Sequence, residues 1–205
     1  MSVAQRAMML GASTLFEASK LDCALDCRIR AVWAGATIAA PAYPLVCSPG
    51  DNLSIHIALE RAPRGSVLVV ATGGYCAGYW GEVLTVAAQV AGIAGLVTDG
   101  GVRDVAAMTR RRFPVFAAGV SVRGTIKASA PSVGEPLRIS GVPVVAGDLV
   151  VADDDGVVVI PADAVERVLA AGEERHAREA AMMAELEQGA TTLELMGLTQ
   201  WRSPS

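Results

Sequence analysis

At 205 residues, with 52% apolar and 19% charged side chains, the chain carries enough apolar material for a folded core and too little charge for a disordered one. A formal net charge of −4 and a pI near 5.2 remove the cationic basis of phosphate binding, so no nucleic-acid partner is expected. Mean hydropathy is +0.42, yet charges and glycines interrupt every apolar run before the ~20 residues a spanning helix needs, and MSVAQRAMML is too short for a secretory leader; a cytoplasmic protein without membrane contact is expected.

Along the chain, Cys23 and Cys27 fall at helical spacing, but no second pair or spaced histidine completes a zinc set. With Cys47 and Cys76 they read as reduced thiols. His56 lies in an apolar helical run and reads as structural. Residues 66–70, SVLVV, predict a strand, followed by a glycine-rich loop from Gly73-Gly74 to Gly81. From Glu82 to Val90 the apolar positions recur at helical spacing, and Gly92 supplies a stop. Residues 94–98 predict the next strand, Asp99-Gly100-Gly101 a turn, Arg103 to Arg111 a second helix, and 114–118 a third strand. This βαβαβ alternation predicts a parallel sheet with functional loops at the C-terminal ends of its strands. Arg110, Arg111 and Arg112 near a helix end are assigned to carbonyl capping, solvent or a partner subunit.

After Gly124 short β-rich pieces with turn signals predict antiparallel strands. Asp153-Asp154-Asp155 reads as a hairpin turn, because Val157 to Ile160 are apolar where a calcium loop needs oxygen ligands. From about 162 to 195 an Ala-, Glu- and Arg-rich stretch, which includes His176, predicts one long C-terminal helix suited to oligomer contacts. No repeat or linker divides residues 1–205, so a single domain is expected.

The predicted helix starts at Glu82 and near Arg103 follow successive strands, which puts them on one edge of a parallel sheet. Free backbone N–H groups at a helix start favour a carboxylate, and Gly81 permits close approach. Arg103 adds a planar fork that can grip a keto acid, while Asp104 and Glu82 supply hard oxygens suited to Mg²⁺ or Mn²⁺. GGYCAGYWGE lacks the elements of a P-loop or dinucleotide fingerprint, so nucleotide and methyltransferase readings are set aside.

Residues 81–127, GEVLTVAAQVAGIAGLVTDGGVRDVAAMTRRRFPVFAAGVSVRGTIK, resemble the family that contains 4-hydroxy-4-methyl-2-oxoglutarate aldolases and the RraA-type regulators of ribonuclease E. The family hallmark, an acidic residue or glycine, twenty residues and then Arg-Asp, reads here as Glu82, residues 83–102 and Arg103-Asp104. PGDN at 49–52, FPVFAAG at 113–119 and GDLVVADDDGVVVIP at 147–161 extend the likeness.

The resemblance implies an α/β fold of the swivelling β/β/α type, a layered α-β-β sandwich with a C-terminal helix, assembled as a homotrimer or dimer of trimers. It implies that Gly81, Glu82, Val83 and Leu84 contact substrate partly through backbone amides, that Arg103 binds substrate and that Asp104 holds a divalent metal. Glu179, or one of its neighbours Glu173, Glu174 and Glu185, matches a tail-helix glutamate that reaches a neighbouring active site in aldolase relatives. The implied activity is that of a class II pyruvate aldolase. Such an enzyme splits 4-hydroxy-4-methyl-2-oxoglutarate or 4-carboxy-4-hydroxy-2-oxoadipate, with oxaloacetate decarboxylation from the same enolate. A water near Glu82 or Glu179 serves as base, and a Schiff base on Lys127 is set aside in favour of a structural or carboxylate-contacting lysine. Many aldolase relatives carry Asp where this chain has Glu82, a difference of about 1 Å in reach. The competing activities are ribonuclease E inhibition, against which Glu82 stands because glycine is common there in the regulators, and a lyase acting on another keto acid.

Overall fold

The computed structural model describes residues 1–202. In chain order the elements are α1 (Val3–Ser19), β1 (Arg30–Ala31), β2 (Ile38–Val46), α2 (Leu53–Arg61), β3 (Val67–Ala71), β4 (Gly78–Trp80), α3 (Glu82–Ala91) and β5 (Gly95–Val102). They continue with α4 (Val105–Arg111), β6 (Val115–Val120), β7 (Ser132–Val133), β8 (Leu137–Ile139), β9 (Val142–Val144), β10 (Leu149–Asp153), β11 (Gly156–Ile160), α5 (Val165–Glu187) and α6 (Thr192–Leu195).

Nine strands form one sheet in the order β1-β6-β5-β3-β2-β10-β11, with β4 joined to β5 and β7 to β2. Strands β2, β3, β5 and β6 run parallel, as the βαβ alternation requires, and the β10–β11 hairpin adds antiparallel to β2. Every residue of β3 is buried, which explains its unbroken apolar sequence. Leu68 and Val70 pack against Ile55, Leu84 and Met108 of the three helices on one face. Val67 and Val69 point the other way, onto Val150, Ala152, Val157 and Val159 of the hairpin. The hairpin's opposite residues, Leu149, Val151, Val158 and Ile160, lie under Leu10, Leu15, Val168 and Leu169 of α1 and α5. The β layers are therefore two halves of one coiled sheet packed face to face, with helices outside, the layered arrangement that the family resemblance implied. Arg6 ties α1 to α5 through Glu166 and Glu173, both at 2.7 Å. No helix of the described residues is long and apolar enough to cross a membrane.

Three local expectations are corrected. Asp99-Gly100-Gly101 is not a turn: β5 continues through it to Val102, with a shift of register against β6 between Thr98 and Gly101. The glycines serve close approach, since a Cβ on Gly100 would stand 2.9 Å from Thr72 and one on Gly101 2.7 Å from the Ala77 carbonyl oxygen. The loop after β3 contains an extra strand, β4, buried throughout and paired with the end of β5. The C-terminal helix is interrupted: α5 stops at Glu187, Gly189 takes a left-handed φ of 99°, and a Thr191 capping box starts the short α6. The aspartates at 153–155 do form a hairpin turn, with Asp153 opposite Gly156.

Candidate active site

Parallel pairing sends the C-terminal ends of β4 and β5 to the same edge of the sheet, and the chain leaves each of them into the candidate residues. The Arg103 N–H donates to the Trp80 carbonyl at 2.8 Å, locking the end of one strand to the end of the other. Trp80 is buried, stacks on Phe113 at 5.8 Å between centroids, and donates its indole N–H to the Thr85 hydroxyl at 2.8 Å. That hydroxyl donates in turn to the Gly81 carbonyl at 3.0 Å, fixing the first turn of α3.

Asp104, at the start of α4, has a φ of 60°, uncommon for a residue with a Cβ. The conformation turns its side chain back toward α3, where Oδ2 accepts the Glu82 backbone N–H at 3.0 Å. Gly81 makes room for this contact, because a Cβ would collide with Asp104 Oδ2 and come within 3.1 Å of Arg103 Cγ. Gly78 plays the same part under the arginine, with Arg103 Cδ 3.1 Å from a virtual Cβ. Two glycines thus form the floor on which Arg103 and Asp104 lie, and the arginine Nε stands 3.9 Å from Asp104 Oδ2.

These residues make one end of a cleft of about 230 Å³ that is also lined by Val83, Leu84, Asn52, His56, Thr125 and Lys127. Val83 and Leu84 occupy the first turn of α3, where backbone N–H groups have no intrahelical acceptor. At the other end Asn52 donates its side-chain N–H to the Tyr79 carbonyl at 2.9 Å, leaving its buried Oδ1 unpartnered. The buried Nε2 of His56 is unpartnered as well. Burial first, and then the charge of Lys127, lower the His56 pKa and so favour the neutral ring.

Of the residues singled out from sequence, Gly81, Val83, Leu84, Arg103 and Asp104 meet in this cleft. The Glu82 backbone joins them, but its carboxylate turns outward: Arg111 Nε and Nη2 both donate to Oε1, at 3.2 and 3.1 Å. Glu179 lies on α5, paired with Arg175 at 2.8 Å and apart from the cleft of its own chain. His56, read as structural, is a cleft residue, and so is Lys127, for which carboxylate contact was one expectation. Asn52, the N-cap of α2, and His56 on its first turns are four apart and come to the same side, a signal present in the sequence but mute without knowing what α2 packs against. Among the described residues no cluster of three or more His, Cys, Asp or Glu side chains is placed to hold a metal.

Fold and cleft together define an α/β domain with a cleft, lined by Arg103, Asp104 and a helix start, at the C-terminal edge of its parallel strands. A profile of RraA-like proteins, described as Aldolase/RraA, matches residues 12–159, and the chain belongs to this family. A Halalkalibacterium halodurans protein provisionally named 4-hydroxy-4-methyl-2-oxoglutarate aldolase is 34% identical over 145 residues, covering 70% of this chain and 69% of its own. Among solved structures, an uncharacterized protein from Pseudomonas syringae superimposes with a TM-score of 0.86 at 27% identity, covering 96% of this chain and 93% of that one. Streptomyces coelicolor RraAS2, described as an unusual member of the RNase ES inhibitor RraA protein family, gives 0.76 at 26% identity, covering 89% and 97%.

Proposed function

We propose that the cleft cleaves a 4-hydroxy-2-keto diacid, of the 4-hydroxy-4-methyl-2-oxoglutarate or 4-carboxy-4-hydroxy-2-oxoadipate type, into pyruvate and a second keto acid. The observation that carries this reading is the pair of cationic groups in one cleft: Arg103, beside Asp104 and the free amides of α3, and Lys127, beside His56. A molecule with a keto-carboxylate at one end and a carboxylate at the other matches both.

In this reading Arg103 and the Val83 and Leu84 amides bind the C1 carboxylate and orient the 2-keto group, as a guanidinium fork and a helix start both favour. The donor chemistry fits a divalent cation: Asp104 offers a hard carboxylate oxygen, and Mg²⁺ is held by one or two carboxylates with waters completing its shell. Asp104 would hold Mg²⁺ or Mn²⁺, which supplies Lewis-acid stabilisation of charge at the 2-keto oxygen. A base takes the C4 hydroxyl proton, the C4–O bond becomes a carbonyl as C3–C4 breaks, and the electron pair passes to the enolate, which Arg103 stabilises. Neutral His56, with Nε2 free, is the acceptor that the cleft provides; a water on the free Oε2 of Glu82 at the rim is the second. Protonation at C3 then gives pyruvate, and oxaloacetate loses CO₂ through the same enolate.

Val83 lines the cleft, Val122 and Ile126 lie on the segment that carries Thr125 and Lys127, and the three are 81%, 94% and 65% exposed. Apolar surface of this kind, beside a site, suits burial against another copy, and a homotrimer or dimer of trimers would let Glu179 serve a neighbouring cleft.

The test is pyruvate release from both diacids and from oxaloacetate, with Mg²⁺ and with EDTA. Activity that survives EDTA, or no release from any of the three, rejects the reading.

A further inference from the structure

Thr125 and Lys127 reach the cleft on a segment with little regular structure of its own. Between the end of β6 at Val120 and the start of β7 at Ser132, the β pairing is one isolated bridge, Ile126 with Asp51. Asp51 is 3% exposed and does not line the cleft. Its Oδ2 accepts the backbone N–H of Ala128 at 2.8 Å and of Ser129 at 2.7 Å, together with the Ser129 hydroxyl at 3.2 Å. Its Oδ1 accepts the Leu53 N–H at 2.9 Å, in the first turn of α2. On either side the Ile126 N–H donates to the Gly50 carbonyl at 2.9 Å and the Asn52 N–H to the Ile126 carbonyl at 3.1 Å.

One buried carboxylate thus joins the start of α2, which carries Asn52 and His56, to the residues that follow Lys127. All four groups aimed at it are donors, so only the ionised form satisfies them. The Leu53 N–H first, then those of Ala128 and Ser129, hold its pKa below the ordinary carboxylate value against the effect of burial.

We propose that Asp51 is a positioning residue for recognition of the distal carboxylate: it holds the segment that carries Lys127 against the start of α2, so that the ammonium group is set where it meets that carboxylate. This rests on the keto-diacid reading of the cleft. A merely structural aspartate would, when replaced, weaken every ligand alike. A positioning one weakens only ligands that carry the second carboxylate.

The experiment is calorimetric binding, with Mg²⁺ present, of 2-oxoglutarate and of 2-oxopentanoate, which has the same chain length but no distal carboxylate. Neither has a 4-hydroxyl, so the measurement needs no turnover. Asp51→Asn presents an amide N–H₂ to donors and should weaken 2-oxoglutarate about tenfold or more, as expected for a lost charged hydrogen bond, with 2-oxopentanoate unchanged. Lys127→Met should do the same, and the double variant should be no worse than either single one. Equal weakening of both ligands, or effects of the two substitutions that multiply, overturns the inference. Should Asp51→Asn not fold, Ser129→Ala removes one donor only and should weaken 2-oxoglutarate alone, about twofold to threefold; no change there overturns the inference as well. A wild-type protein that does not prefer 2-oxoglutarate overturns the keto-diacid reading itself, whereas a preference that survives in Asp51→Asn overturns the role of Asp51 only.

Discussion

The two ends of the cleft are built differently. Arg103 and Asp104 stand at the junction of a strand end and a helix start, within three residues of regular structure, over two glycines that leave no room for other side chains. Lys127 stands on an irregular segment whose place depends on contacts with Asp51, 77 residues away from Ala128 in the chain. Backbone pairing holds the first end, so its geometry is set by the same hydrogen bonds that make the sheet. The second is held by one isolated backbone bridge, Ile126 with Asp51, and by the side-chain acceptor Asp51, so fewer backbone bonds fix it.

The sharpest way to break this comparison is at the first end. Asp104→Ala removes the proposed metal ligand and the acceptor of the Glu82 N–H, and Mg²⁺-dependent pyruvate release should fall below detection. Unchanged turnover in the purified variant would reject the site. Gly81→Ala is the steric counterpart. Its φ of −162° suits any residue, so the fold should tolerate the change, but the new methyl must displace Asp104. A misplacement of about 1 Å costs on the order of a hundredfold in rate, and we expect that loss in kcat with an unaltered circular dichroism spectrum.

The same contrast explains what could be read from sequence. Helix α3, expected from Glu82 to Val90, runs from Glu82 to Ala91, because apolar periodicity and the left-handed Gly92 cap are both local signals. The adjacency of Arg103 and Asp104 to Gly81 followed from strand-helix order alone. Strand β4 was hidden, since three residues inside a glycine-rich run carry no period, and they are buried only because β5 lies beside them. Gly100 and Gly101 misled as a turn because glycine marks both tight turns and close packing, and only the neighbouring chain decides between them. His56 and Asp51 were illegible as site residues for the same reason, their partners being a long way off in sequence.

At the second end the expected effects fall on proton transfer and on pH. His56→Ala should lower kcat by about a hundredfold or more if the imidazole takes the hydroxyl proton, and leave it nearly unchanged if a water on Glu82 does. The pH dependence adds a sign. His56 works as the neutral base, and its pKa is lowered in the folded protein, so the acid limb of kcat/KM should lie below the ordinary histidine value. Lys127 is one of the two causes of that shift. Removing its charge in Lys127→Met favours the imidazolium, so the limb should move toward higher pH. A limb that stays in place in Lys127→Met assigns the base elsewhere.

The smallest expected effect lies at the rim, where the two ends meet solvent. Arg111 donates twice to Glu82 Oε1, so Oε2 is the oxygen left to hold the water proposed as the alternative base. Both side chains are well exposed, 38% for Arg111 and 41% for Glu82, and such a pair contributes roughly 0–1 kcal/mol, so thermal stability should barely respond to Arg111→Gln. If Glu82 takes part through that water, Arg111→Gln should still lower kcat by about threefold to tenfold, with KM unchanged, because an unclamped glutamate samples several rotamers. Arg111→Lys keeps the charge but not the two-pronged grip and should recover only part of the rate. If kcat is unmoved in both variants, Glu82 contributes its backbone N–H alone, and the methylene that separates it from the aspartate of aldolase relatives ceases to matter.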